Sequence, residues 1–186
     1  MMPIERMRLE DFDAVFRLLS QSFPAGERRD TAGQRALLSD SAYRIDILRA
    51  PSGGVQALMA LWDFDDFVFF EHFAVDPACR NGGIGGQMLD ALLARYDKPA
   101  CLEAELPETE LPETELAARR IGFYERHGFT VNADYSYFQP ALAPGGSPIP
   151  LYLLTTGGAR TPSELRAMET LVHTRVYGQT SAAAGK

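Results

Sequence analysis

Hydrophobic and polar positions along the chain alternate in patterns that predict both helices and strands. Apolar residues at helical spacing predict helices over residues 9–23, 31–39, 83–96, 115–127 and 161–177. Continuous or alternating apolar runs predict strands over residues 4–8, 43–49, 55–64, 67–75, 99–105, 129–138 and 149–155. The order of these elements predicts a mixed α/β sheet with helices on its faces.

Local signals place several ends of these elements. Thr31 is a suitable N-cap, and Thr161-Pro162-Ser163-Glu164 is a capping-box sequence for the last helix. Gly128 is a plausible residue to end the helix before it. We expect residues 1–178 to form a single domain and residues 179–186 to form a flexible tail.

One internal repeat interrupts the pattern: Glu105–Thr109 is followed at once by Glu110–Thr114 with the same five residues, ELPET. Its two prolines and dense acidic residues predict an exposed, extended connection. The segment that contains this repeat carries most of the net charge of −7, since residues 97–116 hold seven acids and one lysine. The remainder of the chain is almost neutral.

An acidic chain argues against nucleic acid or an anionic membrane as the main partner, because affinity for phosphates comes from basic residues. Cys79 and Cys101 form no metal or disulfide motif, and the three histidines lack zinc-ligand spacing. No apolar run at the N-terminus has the form of a signal peptide. We therefore expect a cytoplasmic protein without a metal.

The segment that carries chemistry lies between the apolar run 67–75 and the next helix. Four glycines occupy five positions, 82–86, at the start of the helix, and Arg80 precedes them. Glycines allow close approach of a ligand, and the free N–H groups of a helix N-terminus suit a phosphate. The dinucleotide fingerprint G-x-G-x-x-G and the P-loop pattern both fail to match.

Two motifs resemble the GNAT superfamily of N-acetyltransferases. Arg80-x-x-Gly83-x-Gly85 matches its Q/R-x-x-G-x-G/A signature, and Phe123–Phe129 is similar to its FYxxxGF segment. The wider sequence resembles a bacterial branch of the superfamily. The resemblance implies a mixed, mostly antiparallel twisted sheet flanked by helices, to which the doubled ELPET unit and a C-terminal helix are additions.

The resemblance also implies acetyl-CoA as cosubstrate and assigns residues to it. Tyr124 would protonate the leaving sulfur, and the backbone of Phe73 and Val75 would pair with the pantetheine arm. The pyrophosphate would lie on the turn formed by Arg80, Asn81, Gly82, Gly83, Ile84, Gly85 and Gly86.

An amine must be neutral to attack a thioester, so a base is useful. Glu71 and His72 are candidates because each is a lone polar residue on one face of an apolar strand. Glu103 and Glu105 are candidates for binding a cationic acceptor amine. Each of these residues also has a purely structural alternative, as a satisfied core group or a solvated edge.

Two functions fit these observations. The first is an acetyl-CoA-dependent N-acetyltransferase that transfers an acetyl group to a primary amine of a small molecule or peptide by direct attack. The alternative is a non-catalytic module that binds acyl-CoA or a partner. The sequence leaves open whether the chain is a monomer or a homodimer.

Overall fold

The computed structural model describes residues 3–107, 112–142 and 146–179, with the backbone alone for residues 112–115. The chain forms two compact units, with the boundary between Ala100 and Cys101. In the described residues, no helix is long and apolar enough to cross a membrane.

The first unit is built on four antiparallel strands in chain order: β1 (Ile4–Arg6), β2 (Tyr43–Arg49), β3 (Val55–Asp63) and β4 (Val68–Val75). Strands β2 and β3 form a hairpin around the turn at Gly53. Its helices are α1 (Phe12–Ser22), preceded by a 3₁₀ turn (Leu9–Asp11), α2 (Thr31–Ala36) and α3 (Ile84–Leu93).

The core of the first unit is apolar on both sides of β4. Val68, Phe69 and Phe70 are each at most 4% exposed, so this strand is covered on both faces. Further core side chains come from the helices and from β3: Leu19, Leu58, Leu61, Trp62, Met88 and Leu92. Their burial fixes the position of the turn between β4 and α3.

The second unit places β8 (Ile149–Thr156) between partners on both of its edges. It pairs with β5 (Ala100–Glu105) on one edge and with β6 (Phe129–Val131) and β7 (Tyr137–Gln139) on the other, always antiparallel. The helices are α4 (Pro112–Arg126) and α5 (Pro162–Leu171), and α5 continues into a π-helix (Val172–Val176).

Three local predictions are corrected. The N-cap of α2 is Asp30, not Thr31, because the Asp30 carboxylate accepts from the backbone N–H of Gly33 at 2.7 Å. Helix α4 begins at Pro112, three residues before the predicted start, since a proline is well tolerated in the first helical turn. The second ELPET unit is therefore partly helical, while residues 108–111 lie outside the described part of the chain.

The third correction concerns the strand predicted over residues 129–138, which is two strands, β6 and β7, separated by a turn. The buried Asn132 side chain lies at the interruption. Its amide donates to the carbonyl of Leu153 at 3.0 Å and to the hydroxyl of Thr155 at 3.1 Å, and its oxygen accepts from the backbone N–H of Arg160. The backbone N–H of Asn132 also donates to the carbonyl of Leu153 at 3.1 Å, and the turn begins where the N–H of Tyr135 donates to the carbonyl of Asn132 at 3.1 Å.

Other predicted ends are confirmed. The capping box of α5 is present, with Thr161 and Glu164 bonded to each other's backbone N–H groups. Gly128 follows α4 with a φ of 85°, a conformation that glycine adopts without strain. The predicted tail, residues 179–186, lies outside the described residues except for Gln179.

Candidate active site

The turn after β4 has a defined geometry that starts at the last residues of the strand. The Asp76 carboxylate accepts from the backbone N–H of Ala78 at 2.8 Å, which begins a 3₁₀ turn over Pro77–Cys79. Arg80 then folds back, and its Nε donates to the carbonyl of Val75 at 3.1 Å. Hydrogen bonds of Asp76 and Arg80 thus hold the turn against the end of β4.

Two residues of this turn adopt the left-handed conformation, Asn81 with a φ of 65° and Gly83 with a φ of 74°. Gly83 is the N-cap of α3, and the first helical bond runs from the N–H of Gln87 to the carbonyl of Gly83 at 3.1 Å. The N–H groups of Ile84, Gly85 and Gly86 therefore have no acceptor within the helix.

The surface of the turn is open to a ligand. Asn81, Gly82 and Gly83 are exposed, and a Cβ placed on Gly82 would meet only the carbonyl oxygen of Cys79, at 3.8 Å. Three features of the turn attract a negatively charged group: the unpaired N–H groups, the positive end of the α3 dipole and the nearby guanidinium of Arg80. The residues present fit a phosphate or pyrophosphate.

Strand β4 has a bulge at Glu71, and this residue is tied to two others. Its Oε1 accepts from Arg29 Nη1 at 2.5 Å, and its Oε2 accepts from Trp62 Nε1 at 2.8 Å. The two side chains of the ion pair are 3% exposed for Glu71 and 14% for Arg29. Nothing near Arg29 in the sequence indicates its role, because its partner lies 42 positions further along the chain.

His72 is buried beside Glu71 and contacts the same loop that carries Arg29. Its Nε2 lies 3.0 Å from the carbonyl oxygen of Glu27, and the Phe23 ring packs against the imidazole edge with centroids 4.6 Å apart. Its Nδ1 is buried and has no hydrogen-bond partner among the described residues. The segment between α1 and α2 is thus held on β4 at two neighbouring residues.

The second unit contains Tyr124, on α4. Its ring is half-buried and packs against the rings of Phe123 and Phe129, with centroids 5.3 and 5.7 Å away. Burial raises the pKa of Tyr124 to about 12. Among the described residues, its hydroxyl finds no hydrogen-bond partner, so it can donate to a ligand.

Glu103 and Glu105, on β5, are both engaged by side chains of the second unit. Tyr137 and Tyr177 donate their hydroxyls to the two oxygens of Glu103, the second at 2.6 Å, and Gln139 donates to the oxygen of Tyr177 at 3.0 Å. Burial and the charge of Glu103 raise the pKa of Tyr137 well above its usual range, which keeps this phenol a donor. Glu105 forms an exposed ion pair with Arg120 at 2.7 Å.

The predicted site residues therefore fall into two groups. Glu71, His72, Phe73, Val75 and residues 80–86 follow one another on β4 and its turn in the first unit. Tyr124, Glu103 and Glu105 belong to the second unit. The polar partners Arg29, Tyr137 and Tyr177 were not predicted, since a lone polar residue in an apolar strand indicates that it needs a partner but not which one.

Comparison with known proteins assigns a family to this arrangement. The family model of the acetyltransferase (GNAT) domain matches residues 46–131. A GNAT-family protein from Bacteroides thetaiotaomicron is 32% identical over 95% of this chain and 99% of its own, with a TM-score of 0.84. The chain belongs to the GNAT family of acetyltransferases, and its fold is the predicted mixed, mostly antiparallel sheet flanked by helices.

More distant solved structures share the fold. The ribosomal-protein-S18-alanine N-acetyltransferase of Escherichia coli is 18% identical, covers 87% of this chain and 96% of its own, and has a TM-score of 0.59. A GNAT family acetyltransferase from Elizabethkingia anophelis, with acetyl-CoA bound, is 15% identical over 82% of this chain and 95% of its own, with a TM-score of 0.57. No curated protein matches the sequence.

Proposed function

We propose that the chain is an acetyl-CoA-dependent N-acetyltransferase that transfers the acetyl group directly to a primary amine. The observation that carries the proposal is the turn after β4, where unpaired N–H groups of α3 and two left-handed residues form an open cradle for a pyrophosphate. Membership of the GNAT family and the acetyl-CoA bound by the Elizabethkingia anophelis protein support the same ligand.

Within this proposal, acetyl-CoA lies along β4. Its pyrophosphate contacts the backbone of residues 80–86, and its pantetheine amides pair with the backbone of Phe73 and Val75, both of which are half-exposed. A strand rises about 3.3 Å per residue, so Glu71 lies roughly 13 Å along β4 from Val75. The extended pantetheine arm would thus carry the thioester from the turn toward the bulge.

The reaction needs no covalent intermediate on the protein. The neutral amine nitrogen attacks the thioester carbonyl, a C–N bond forms and the C–S bond breaks. Tyr124 donates its hydroxyl proton to the departing sulfur, and a buried group on β4, Glu71 or His72, accepts the proton that the amine loses. Exchange with solvent then returns both groups to their starting states, and the products are an amide and free CoA.

For the acceptor we propose a cationic amine, drawn by the acidic segment that includes Glu103 and Glu105. The name of the Escherichia coli neighbour gives an alanine amine as that protein's acceptor, which supports an amine here. The cytoplasmic location, the single domain, the absence of a metal and a monomeric or homodimeric state stay predictions.

A thiol-release screen tests the function. Acetyl-CoA is incubated with the full chain and with cationic, neutral and anionic primary amines matched in size, and free CoA is measured. We expect release with at least one cationic amine. If the chain is stabilised by acetyl-CoA, by about 2.7 kcal/mol at a hundred times Kd, but releases no thiol with any amine, the non-catalytic alternative is correct.

Replacement of the proposed acid tests the mechanism. Tyr124→Phe should lower kcat by about 10²-fold or more and leave the Kd of acetyl-CoA unchanged, because the hydroxyl acts on the sulfur only as it leaves. Since burial raises the pKa of Tyr124 to about 12, ionisation of this hydroxyl should not lower kcat below about pH 11. Tyr152→Phe, on β8, is the matched control, and equal rates for the two variants would refute the role of Tyr124.

A further inference from the structure

The bulge in β4 brings two consecutive side chains together. In a regular strand, neighbouring residues point to opposite faces. Here Ala60 pairs with His72 and Leu61 pairs with Phe70, so Glu71 is the extra residue between them. As a result Glu71 Oε1 lies only 3.9 Å from His72 Nδ1, with both side chains at most 5% exposed. Bulges re-aim side chains in this way beside active sites.

The contacts of Glu71 make it a poor proton acceptor. One oxygen is in an ion pair with Arg29 and the other accepts from the indole N–H of Trp62. Both bonds are made to the ionised carboxylate, and a proton on Glu71 would remove the negative charge that strengthens them. Glu71 is therefore suited to supply a fixed negative charge.

The contacts of His72 leave it with a free basic lone pair. A backbone carbonyl can only accept, so the bond to Glu27 requires the hydrogen of the neutral imidazole to be on Nε2. The lone pair is then on Nδ1, which is buried, has no partner among the described residues and is close to the Glu71 carboxylate. A buried acceptor without a partner is rare in folded proteins.

We infer that His72, through Nδ1, accepts the proton of the acceptor amine and that Glu71 is a positioning residue that stabilises the imidazolium. This inference rests on the proposed function. As the C–N bond forms, the N–H bond of the amine breaks and its proton moves to Nδ1, while Nε2 keeps its hydrogen and its bond to Glu27. After the product leaves, the imidazolium loses the Nδ1 proton to water that enters the vacated acceptor site.

Two charged groups act on the imidazole from the elements that surround it. Glu71, on β4, favours the protonated ring, and Arg29, from the segment between α1 and α2, opposes it. An imidazole is suited to this step because it gains and loses a proton between pH 5 and 8.

The tautomer gives a test that is independent of turnover. Long-range ¹⁵N–¹H spectra of the full chain, labelled at histidine nitrogens and without ligand, should show His72 with hydrogen on Nε2 and a bare Nδ1 at pH 8. His173, whose buried Nε2 has no hydrogen-bond partner among the described residues, gives a reference signal. Hydrogen on Nδ1 of His72 would overturn the inference.

Kinetics give the second test. His72→Gln keeps an N–H near the position of Nε2 and removes the basic nitrogen, so we expect kcat to fall about 10²-fold and the Kd of acetyl-CoA to change less than twofold. Glu71→Gln should move the acid limb of the kcat/KM profile to lower pH, because the imidazolium loses its counter-charge while Arg29 remains. His173→Gln should leave both unchanged.

The outcomes separate this inference from the function on which it rests. An unmodified chain that releases no thiol with any amine refutes the proposed function. An active chain whose His72→Gln variant keeps kcat within twofold overturns the inference alone. An unmoved acid limb in Glu71→Gln would show that the Glu71 charge does not act on the base.

Discussion

The ion pair between Arg29 and Glu71 allows an asymmetric stability prediction. The carboxylate side chain is 3% exposed and the guanidinium 14%, so the two charges differ in their access to water. Arg29→Met leaves Glu71 buried with only the Trp62 N–H for compensation. Glu71→Gln leaves a cation on a surface segment, where it can turn toward solvent, and the new amide oxygen can still accept from Trp62.

The magnitudes follow from the cost of an uncompensated buried charge. Breaking a buried pair by removing one partner costs about 3–5 kcal/mol, and we expect Arg29→Met to lower the free energy of unfolding by about 3 kcal/mol. Glu71→Gln should cost about 1–2 kcal/mol, since most of its hydrogen bonds can re-form. The double variant should be more stable than the sum of the two losses implies, with a coupling energy of about 1–3 kcal/mol.

Urea denaturation followed by circular dichroism measures these values for the four proteins of the cycle. Glu10→Gln is the control, because its ion pair with Arg8 is well exposed and should contribute at most about 1 kcal/mol. Equal losses for the two single variants, or additive losses in the double variant, would refute the argument that the buried carboxylate depends on Arg29.

Two further predictions concern the turn and the C-terminal helix. Gly83→Ala places a side chain at a φ of 74°, so it should lower the free energy of unfolding by about 1–2 kcal/mol and weaken acetyl-CoA binding measured by calorimetry. Gly53→Ala, at a φ of 92° in the hairpin, should lower stability but leave the affinity unchanged. An equal affinity loss in both variants would contradict the phosphate turn. Tyr177→Phe removes a hydroxyl that donates to Glu103 at 2.6 Å, and it should lower the free energy of unfolding by about 1.5–3 kcal/mol in urea titrations. A loss below about 0.5 kcal/mol, the value expected for a solvated contact, would show that this hydrogen bond does not stabilise the C-terminal helix.

The sequence by itself determined the parts of this protein that depend on neighbouring residues. The apolar run of β4, the capping box at Thr161 and the glycine after α4 are local signals, and each is confirmed. Apolar periodicity predicts a helix or a strand because the side chains on one face of each recur at a fixed spacing along the chain. The family motifs are equally local, which is why they were visible in the sequence.

The tertiary structure decided the features that join distant residues. Arg29 and Glu71 are 42 positions apart, and Tyr177 and Glu103 are 74 apart, so nothing near either carboxylate indicates its partner. The break between β6 and β7 likewise depends on bonds from Asn132 to β8, more than 20 residues away. The bulge at Glu71 belongs to the register between β3 and β4. Pattern along one chain specifies which groups must be satisfied, and only packing selects the groups that satisfy them.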